Sequence, residues 1–152
     1  MVLYNCYLQF EKMISFELNP TLDMVDWKRV SELFELVNWG KREPKEIEKS
    51  FRTSSVTCFV KGKNEIIGFG RTVDDGKYYA LLVDIVIHPD HQSKGLGKTI
   101  VSELKNRLEG YEFITLTAAP NKDGFYKKIG WKKQKSAFIF PKDEKQINEH
   151  CE

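Results

Sequence analysis

Cysteines, net charge and long apolar runs are all scarce in this sequence. Its three cysteines, Cys6, Cys58 and Cys151, are odd in number and show no CxxC spacing, so neither a disulfide framework nor a zinc ribbon is indicated. Free thiols in a reducing compartment are the simplest interpretation, and we expect a cytoplasmic protein. Because a lone cysteine in an apolar strand is usually a packing residue, we expect Cys58 to pack the core rather than to act as a nucleophile.

The low net charge and the missing apolar runs narrow the classes of partner. A net charge of +2 over 152 residues is too small and too dispersed to indicate nucleic acid as the main partner. No apolar run approaches the roughly 20 residues of a membrane helix, and the N-terminus MVLYNCYLQFEKM lacks the features of a signal peptide. We expect a single domain over residues 1–152, with its core at about 14–140 and with peripheral segments at 1–12 and 141–152.

What is present in the N-terminal half is an alternation of strand and helix patterns. The stretch ISFELN, at 14–19, alternates apolar and polar residues like a half-buried strand. From Asp26, the stretch DWKRVSELFELVNW places its apolar residues on one helical stripe, with Asp26 as the N-cap. Pro44 then occupies the favoured first position of a second helix, PKEIEKSF.

Strand patterns dominate the centre of the chain. VTCFVKG and EIIGFGRTVDDG read as two strands joined by the turn KGKN at 61–64. YYALLVDIVI, at 78–87, is almost continuously apolar, as in a central strand that is covered on both faces.

The C-terminal part completes the order of elements. A helix pattern runs to Gly110, EFITLTA is a strand, and NKDGFYKKIG is a short helix that Gly130 ends. WKKQKSAFIF reads as a final hairpin or strand pair, and we expect the charged tail from Pro141 to be mobile. The order of elements predicts an α/β or α+β sandwich with a mixed sheet.

The glycine-rich stretch HQSKGLGKT, at 91–99, lies between an apolar strand and a helix and has the composition of a phosphate-binding loop. A P-loop would need glycine at position 92, which is Gln92, and a Rossmann fingerprint would need glycine at position 100, which is Ile100. What fits is Gln-x-x-Gly-x-Gly, in which Gly95 and Gly97 let a diphosphate approach the free N–H groups of a helix start. Lys94 and Lys98 add attraction for phosphates.

Two stretches resemble a known family. DIVIHPDHQSKGLGKTIVSELKNRL is similar to motif A of the GNAT superfamily of acetyl-CoA-dependent N-acetyltransferases. FYKKIGWKK is similar to the second hallmark of that family, with Trp131 in place of the usual phenylalanine. The resemblance covers about residues 14–140. It implies a mixed, mostly antiparallel sheet with helices on both faces and with strands 4 and 5 splayed apart.

A narrower resemblance points to one branch of the superfamily. The stretches VNWG at 37–40 and GFGR at 68–71, together with the aspartate of VDIVI, are similar to bacterial proteins and plastid arylalkylamine N-acetyltransferases. The family's Gly-Trp order is reversed here, as Trp39-Gly40.

The resemblance implies acetyl-CoA as co-substrate, no metal, and a set of residues that bind the coenzyme. The backbone of Ile85, Val86 and Ile87 would pair with the pantetheine arm and polarise the thioester carbonyl, although the same residues also suit a plain core strand. Asn121 would contact the coenzyme or, equally well, cap a helix. The remaining residues of the coenzyme site would be Gln92, Ser93, Lys94, Gly95, Leu96, Gly97, Lys98 and Tyr126.

Two residues are candidates for catalysis. By resemblance, Tyr126 would protonate the departing thiolate, and the alternative is an ordinary buried aromatic residue. Asp84 is the one charge in the most apolar strand, so it is either the base that takes the proton of the amine or the partner of Arg71 in a salt bridge. His88 and His91 are second-choice bases, and without a third ligand nearby we predict no metal site at this pair.

Three functions remain open. The leading one is direct transfer of acetyl from acetyl-CoA to a primary amine, on a small molecule or on a protein or peptide. The rivals are a non-catalytic acyl-CoA sensor or scaffold and, more weakly, a phosphotransferase that uses GLGKT. Arylalkylamines, polyamines, amino sugars and lysines are all open as acceptors. The resemblance is compatible with a homodimer, and we expect no nucleic-acid or membrane partner.

Overall fold

The computed structural model describes residues 14–152 and divides the chain into two compact units, one ending at Leu116 and the other running from Thr117 to Glu152. Predictions for residues 1–12 and for Cys6 lie outside the described residues. No helix within residues 14–152 is long and apolar enough to cross a membrane. The single-domain assignment stays a prediction.

The first unit is built on a five-stranded sheet whose spatial order follows the chain. Every neighbouring pair is antiparallel except the last, β4 and β5, which is parallel. The strands are β1 Ile14–Leu18, β2 Thr57–Gly62, β3 Glu65–Asp74, β4 Tyr79–Ile87 and β5 Phe113–Leu116. A parallel pair needs a crossover connection, which a helix between β4 and β5 provides.

Three helices accompany the sheet: α1 Trp27–Leu36, α2 Pro44–Arg52 and α3 Leu96–Asn106. Short 3₁₀ turns precede α1 at Leu22–Met24 and follow β4 at Pro89–His91. The predicted N-cap is confirmed, because an Asp26 side-chain oxygen accepts a hydrogen bond from the N–H of Arg29 at 3.1 Å. Together with the sheet, these helices confirm the predicted mixed fold.

Helices cover both faces of the sheet. Neighbouring residues of β3 point to opposite faces, so Phe69 and Gly70 show what packs on each one. Phe69 lies in an aromatic cluster with Phe34 of α1 and Phe51 of α2, at centroid distances of 5.1 and 5.8 Å. On the other face, α3 lies so close to Gly70 that an added Cβ would be 2.7 Å from Ile100 Cγ2. Gly70 therefore allows α3 to pack tightly on the sheet.

Two details of the first unit differ from the sequence-based expectation. The β2–β3 turn is shorter than KGKN, because Gly62 is the last residue of β2 and only Lys63 and Asn64 adopt the positive φ values of 52° and 66°. This is the geometry of a tight hairpin. Helix α3 ends at Asn106 rather than at Gly110, which follows in a turn with φ 90°. The prediction for Cys58 is confirmed: it is wholly buried, and burial raises the pKa of its thiol to about 12.

The second unit contains two short helices, α4 Asp123–Lys128 and α5 Glu144–His150. The predicted strands in 131–140 are wrong: no strand forms there, and Phe138 and Phe140 are 99% and 98% exposed. An alternating pattern describes a side-chain fit to a sheet but does not supply a partner strand. The tail from Pro141 contains α5, which Asp143 caps by accepting a hydrogen bond from the N–H of Gln146 at 2.8 Å, and its mobility stays a prediction.

A carboxylate network joins the end of β3 to two other segments. Asp74 accepts hydrogen bonds from the hydroxyls of Thr72, Ser55 before β2, and Tyr111 before β5. Burial opposes ionisation of Asp74, but the hydrogen bonds outweigh it and lower the pKa of this carboxyl. A lowered pKa means that Asp74 stabilises the fold above the pKa of the unfolded chain and loses this contribution as the pH falls through its folded value.

We therefore predict that Asp74→Asn lowers the free energy of unfolding by about 1 kcal/mol at neutral pH, since partial exposure weakens its charge-assisted bonds. The difference from the wild type should shrink below about pH 4, where the wild-type carboxyl also becomes neutral. Urea denaturation at several pH values measures this. Asp90→Asn is the control, because the Asp90 side chain is 87% exposed. A difference that is the same at pH 7 and pH 3 would rule out a charge effect.

Candidate active site

The sheet opens between β4 and β5. Their pairing extends only from Tyr79–Leu82 of β4 to Phe113–Leu116 of β5, so the second half of β4 has no neighbour on that side among the described strands. The N–H of His88 donates to Ile67 of β3, and backbone groups alternate in direction along a strand. The groups of Ile85 and Ile87 therefore face the open side, whereas those of Val86 face β3.

A β-bulge at Asp84 lies at the start of this open edge. Phe69 pairs with Val86, but Arg71 pairs with Val83, so β4 carries one extra residue between these pairs. Asp84 is the residue at the bulge that leaves the regular strand conformation. Its φ of 53° is rare for any residue other than glycine. In a regular strand Val83 and Asp84 would point to opposite faces. The bulge lets the Asp84 side chain reach Arg71, the residue opposite Val83.

Two arginines hold the Asp84 carboxylate. Arg71 Nε lies 2.7 Å from Oδ2, and Arg42 Nη1 lies 3.1 Å from Oδ1. The side chains of Asp84 and Arg71 are only 10% and 13% exposed, so this is a largely buried pair. Arg42 is fixed further by packing of its guanidinium over the Phe34 ring at 4.0 Å. The salt bridge to Arg71 that we expected as one alternative for Asp84 is present, and the role of Asp84 as a base stays a prediction.

A cleft of about 360 Å³ lies beside this group of charges. One wall is a single face of α2 and its N-cap, with residues at positions i, i+3, i+4 and i+7. The other wall consists of the two arginines that hold Asp84. The lining residues are Arg42, Glu43, Glu46, Ile47, Ser50 and Arg71.

Arg42, Glu43 and Glu46 are not among the site residues predicted from the sequence. Arg42 is separated from Asp84 by 42 positions and lies in a loop. Its only local signal is the turn-forming Asn38 and Gly40, which have φ values of 63° and 81° and direct the loop back towards the sheet. Such a long-range contact follows from the packing of α1 and α2, so no local pattern could identify it.

The predicted phosphate loop forms the start of α3. Gly95 is the N-cap of the helix with a φ of 82°, and no atom lies within 4 Å of the position that a Cβ would occupy. The N–H groups of Leu96, Gly97 and Lys98 are in the first turn and have no carbonyl partner within the helix. Together with the positive end of the helix dipole, this first turn suits an anion such as a diphosphate.

The side chains of the loop mainly stabilise its shape. Gln92 Nε2 donates a hydrogen bond to the carbonyl of Ile87 at 3.0 Å, which ties the loop to the end of β4. Lys94 Nζ donates to the carbonyl of Asp90 at 2.9 Å. Ser93 has a positive φ of 62°, and Leu96 is buried and anchors the helix start. The predicted coenzyme contacts of Gln92, Ser93, Lys94, Leu96, Gly97 and Lys98 stay predictions.

The two histidines lie in the 3₁₀ turn that leads into this loop. His88 Nδ1 accepts a hydrogen bond from the N–H of Asp90 at 3.2 Å, and its ring is 5.5 Å from that of His91. Burial, followed by the positive charge of Lys94, lowers the pKa of His91, so this side chain is neutral at pH 7. In the described part of the chain, no three His, Cys, Asp or Glu side chains are placed to share a metal ion.

Within the second unit, Tyr126 lies on α4 in contact with two aromatic rings. Its ring is 5.0 Å from Phe125 and 6.4 Å from Trp131, centroid to centroid. Burial raises the pKa of Tyr126, so its phenol remains protonated at neutral pH. The alternative role of Asn121 as a helix cap is wrong, because α4 begins at Asp123 with Lys122 as the N-cap. Asn121 precedes the cap with a left-handed φ of 62°.

The geometry of the first unit agrees with comparisons to known proteins. A family model described as an acetyltransferase (GNAT) domain matches residues 34–141. An uncharacterized N-acetyltransferase, ycf52, from Pyropia yezoensis is 31% identical over 88% of this chain and 88% of its own length. A chloroplastic serotonin N-acetyltransferase 2 from Oryza sativa is 27% identical over 70% of this chain and 56% of its own length.

Solved structures support the same fold. A GNAT-family acetyltransferase from Streptococcus pneumoniae superposes with a TM-score of 0.69 at 20% identity, covering 86% of this chain and all of that one. A glucosamine-6-phosphate N-acetyltransferase from Arabidopsis thaliana has a TM-score of 0.62 at 18% identity, covering 85% and 99% of the two chains. At these identities the likeness shows the fold alone.

The buried ion pair yields a prediction about stability. Asp84→Asn keeps the shape of the side chain but leaves the charge of Arg71 buried without its carboxylate, so the free energy of unfolding should fall by about 2 to 4 kcal/mol. Asp123→Asn is the matched control: its 2.7 Å ion pair with Lys127 is more than half exposed, and the variant should unfold like the wild type. Urea denaturation of both variants measures the difference. Equal stability of Asp84→Asn and wild type would show that the pair contributes nothing to the fold.

Proposed function

Because the chain belongs to the GNAT family of acetyltransferases, we propose that it transfers the acetyl group of acetyl-CoA to a primary amine in a ternary complex. The amine nitrogen attacks the thioester carbonyl, the C–S bond breaks, the CoA thiolate gains a proton and the nitrogen loses one. The observation that carries the proposal is the open edge of β4, which ends next to the free N–H groups of the α3 start.

The open edge and the helix start suit the two ends of one ligand. Outward-facing backbone groups at Ile85 and Ile87 offer hydrogen bonds to the amides of a pantetheine arm, and the first turn of α3 offers N–H groups to the diphosphate. The carbonyl of Ile87 already accepts a hydrogen bond from Gln92 and would share it or exchange it on binding. An N–H group at this edge would also stabilise the oxyanion of the tetrahedral intermediate.

Asp84 is our candidate for the group that takes up the proton of the amine, directly or through water. Its two oxygens accept one guanidinium hydrogen bond each, and a carboxylate can accept about four in all. Lone pairs therefore remain for an ammonium group or a water molecule. The two arginines also fix the orientation of the carboxylate, which a base that acts at one point in space requires.

Tyr126 is our candidate for the group that protonates the departing thiolate. Among residues 14–152 its hydroxyl has no hydrogen-bond partner, so the proton is available to a substrate. Burial raises the pKa of Tyr126, so the hydroxyl carries its proton at neutral pH and is in the form that can donate it as the C–S bond breaks. The role rests on the match of FYKKIGW to the family motif and on this chemistry.

We predict that Gly95→Val abolishes detectable acetyl-CoA binding, because a β-branched side chain would block the approach of the diphosphate to the helix start. Gly76→Val is the matched control: Gly76 has a φ of 79° in a remote turn and, like Gly95, open space around it, so both variants carry similar backbone strain. Calorimetric titration with acetyl-CoA measures binding, and thermal melting shows that both variants are folded. Wild-type affinity in a folded Gly95→Val protein would exclude this loop as the phosphate site.

Turnover separates an enzyme from a domain that only binds acyl-CoA. Release of free CoA should depend on an added amine, tested with a panel of arylalkylamines, polyamines and lysine peptides.

Tyr126→Phe keeps the ring and its packing, so acetyl-CoA affinity and thermal stability should hardly change. With loss of the acid, kcat should fall by about 10²-fold, the lower end of the range for general acid catalysis, because thiolate is already a tolerable leaving group.

Two results would contradict these assignments. Acetyl-CoA binding without CoA release for any amine in the panel would favour the sensor or scaffold function. A wild-type kcat in Tyr126→Phe would show that water or another group supplies the proton, which would leave Tyr126 as a packing residue. The cytoplasmic location and the homodimer stay predictions.

A further inference from the structure

The charges around the cleft beside Asp84 bear on the identity of the acceptor amine. Both arginines of the cleft already have a carboxylate partner, because each donates to Asp84. Glu43 and Glu46 line the same cleft, and within the described residues neither of them forms an ion pair. The two arginines share the single negative charge of Asp84, so one positive charge remains, and the two glutamates exceed it. With Asp84 included, two arginines face three carboxylates, and the formal charge is −1.

The chemistry of the lining separates a charged end from an apolar middle. Glu43 and Glu46 are exposed, at the N-terminal end of α2, whereas Ile47 is 4% exposed and lies deeper on the same helix face. The hydroxyl of Ser50 donates to the carbonyl of Ile47, so it already has a partner. A linear aliphatic chain between two amines matches this sequence of environments, with one nitrogen near Asp84 and the other near the glutamates.

Four phenylalanines of the first unit are used in the core. Phe34, Phe51, Phe59 and Phe69 are at most 1% exposed and contact one another in the core. None of the six residues that line the cleft is aromatic. This part of the site therefore offers no ring on which an aryl group could stack, whereas it offers two carboxylates to a cation.

Given the proposed function, on which this inference rests, we infer that the preferred acceptor is an aliphatic amine with a second positive charge, a diamine or polyamine, whose distal ammonium group binds Glu43 and Glu46. The proximal nitrogen would be the one acetylated. Neither the family match nor the relatives named above assign an acceptor of this class to the chain.

The experiment compares amines that differ only in the distal charge. CoA release would be measured with 1,4-diaminobutane, spermidine, butylamine and 2-phenylethylamine, in the wild type and in Glu43→Gln, Glu46→Gln and the double variant. Glu35→Gln is the matched control, because Glu35 is an exposed glutamate on α1 outside the cleft.

We expect the wild type to have a kcat/KM at least ten times higher for 1,4-diaminobutane than for butylamine. The double variant should lose most of this difference, mainly through a higher KM for the diamine, with unchanged values for butylamine. Added salt should weaken diamine turnover more than butylamine turnover, since Glu43 and Glu46 are exposed and salt screens their charges. The Glu35→Gln control should behave like the wild type.

Several outcomes would overturn the inference and leave the proposed acetyltransfer intact. These are equal kcat/KM for 1,4-diaminobutane and butylamine, a diamine preference that survives in a folded double variant, or a clear preference for 2-phenylethylamine. If no amine, including lysine peptides, released CoA from a protein that binds acetyl-CoA, the proposed function itself would fail and the inference with it.

Discussion

One extra residue in β4 is the constraint on which the candidate site depends. The bulge places Asp84 at a φ of 53° and moves its carboxylate to the face that carries Arg71. Pairing with β5 ends at Leu82, two residues before the bulge, and a bulge bends the strand that contains it. The same local irregularity thus accompanies both the buried ion pair and the open backbone edge. An uninterrupted strand would provide neither in this arrangement.

The ion pair also connects segments that are distant in sequence. Arg42 comes from the loop before α2, Arg71 from β3 and Asp84 from β4, and Arg71 Nη1 in addition donates to the carbonyl of Ser50 on α2 at 3.4 Å. These contacts link the two walls of the cleft. Substitutions in this ion pair should therefore lower the stability of the fold and, under the proposed function, the reaction rate as well.

The packed core positions the other part of the site. The aromatic cluster of Phe34, Phe51 and Phe69 holds α1 and α2 on one face of the sheet, while Gly70 lets α3 approach the opposite face. The position of α3 in turn places its first turn beside the end of β4, and the hydrogen bond from Gln92 to the carbonyl of Ile87 fixes that junction. Phe34, Phe51 and Phe69 are therefore used to hold the helices, whereas Trp39 stays 39% exposed.

The sequence alone determined the elements whose signals are local. Apolar periodicity, the Asp26 cap, Pro44 and the glycines at 95 and 97 predicted the helices, strands and phosphate loop of the first unit, and two motifs indicated the family. Tertiary structure decided what depends on distant partners. A strand pattern in 131–140 found no strand to pair with, Arg42 reached Asp84 across 42 positions, and the bulge turned an isolated charge into a paired one. Periodicity specifies which face of an element is apolar, but only packing specifies which residues meet.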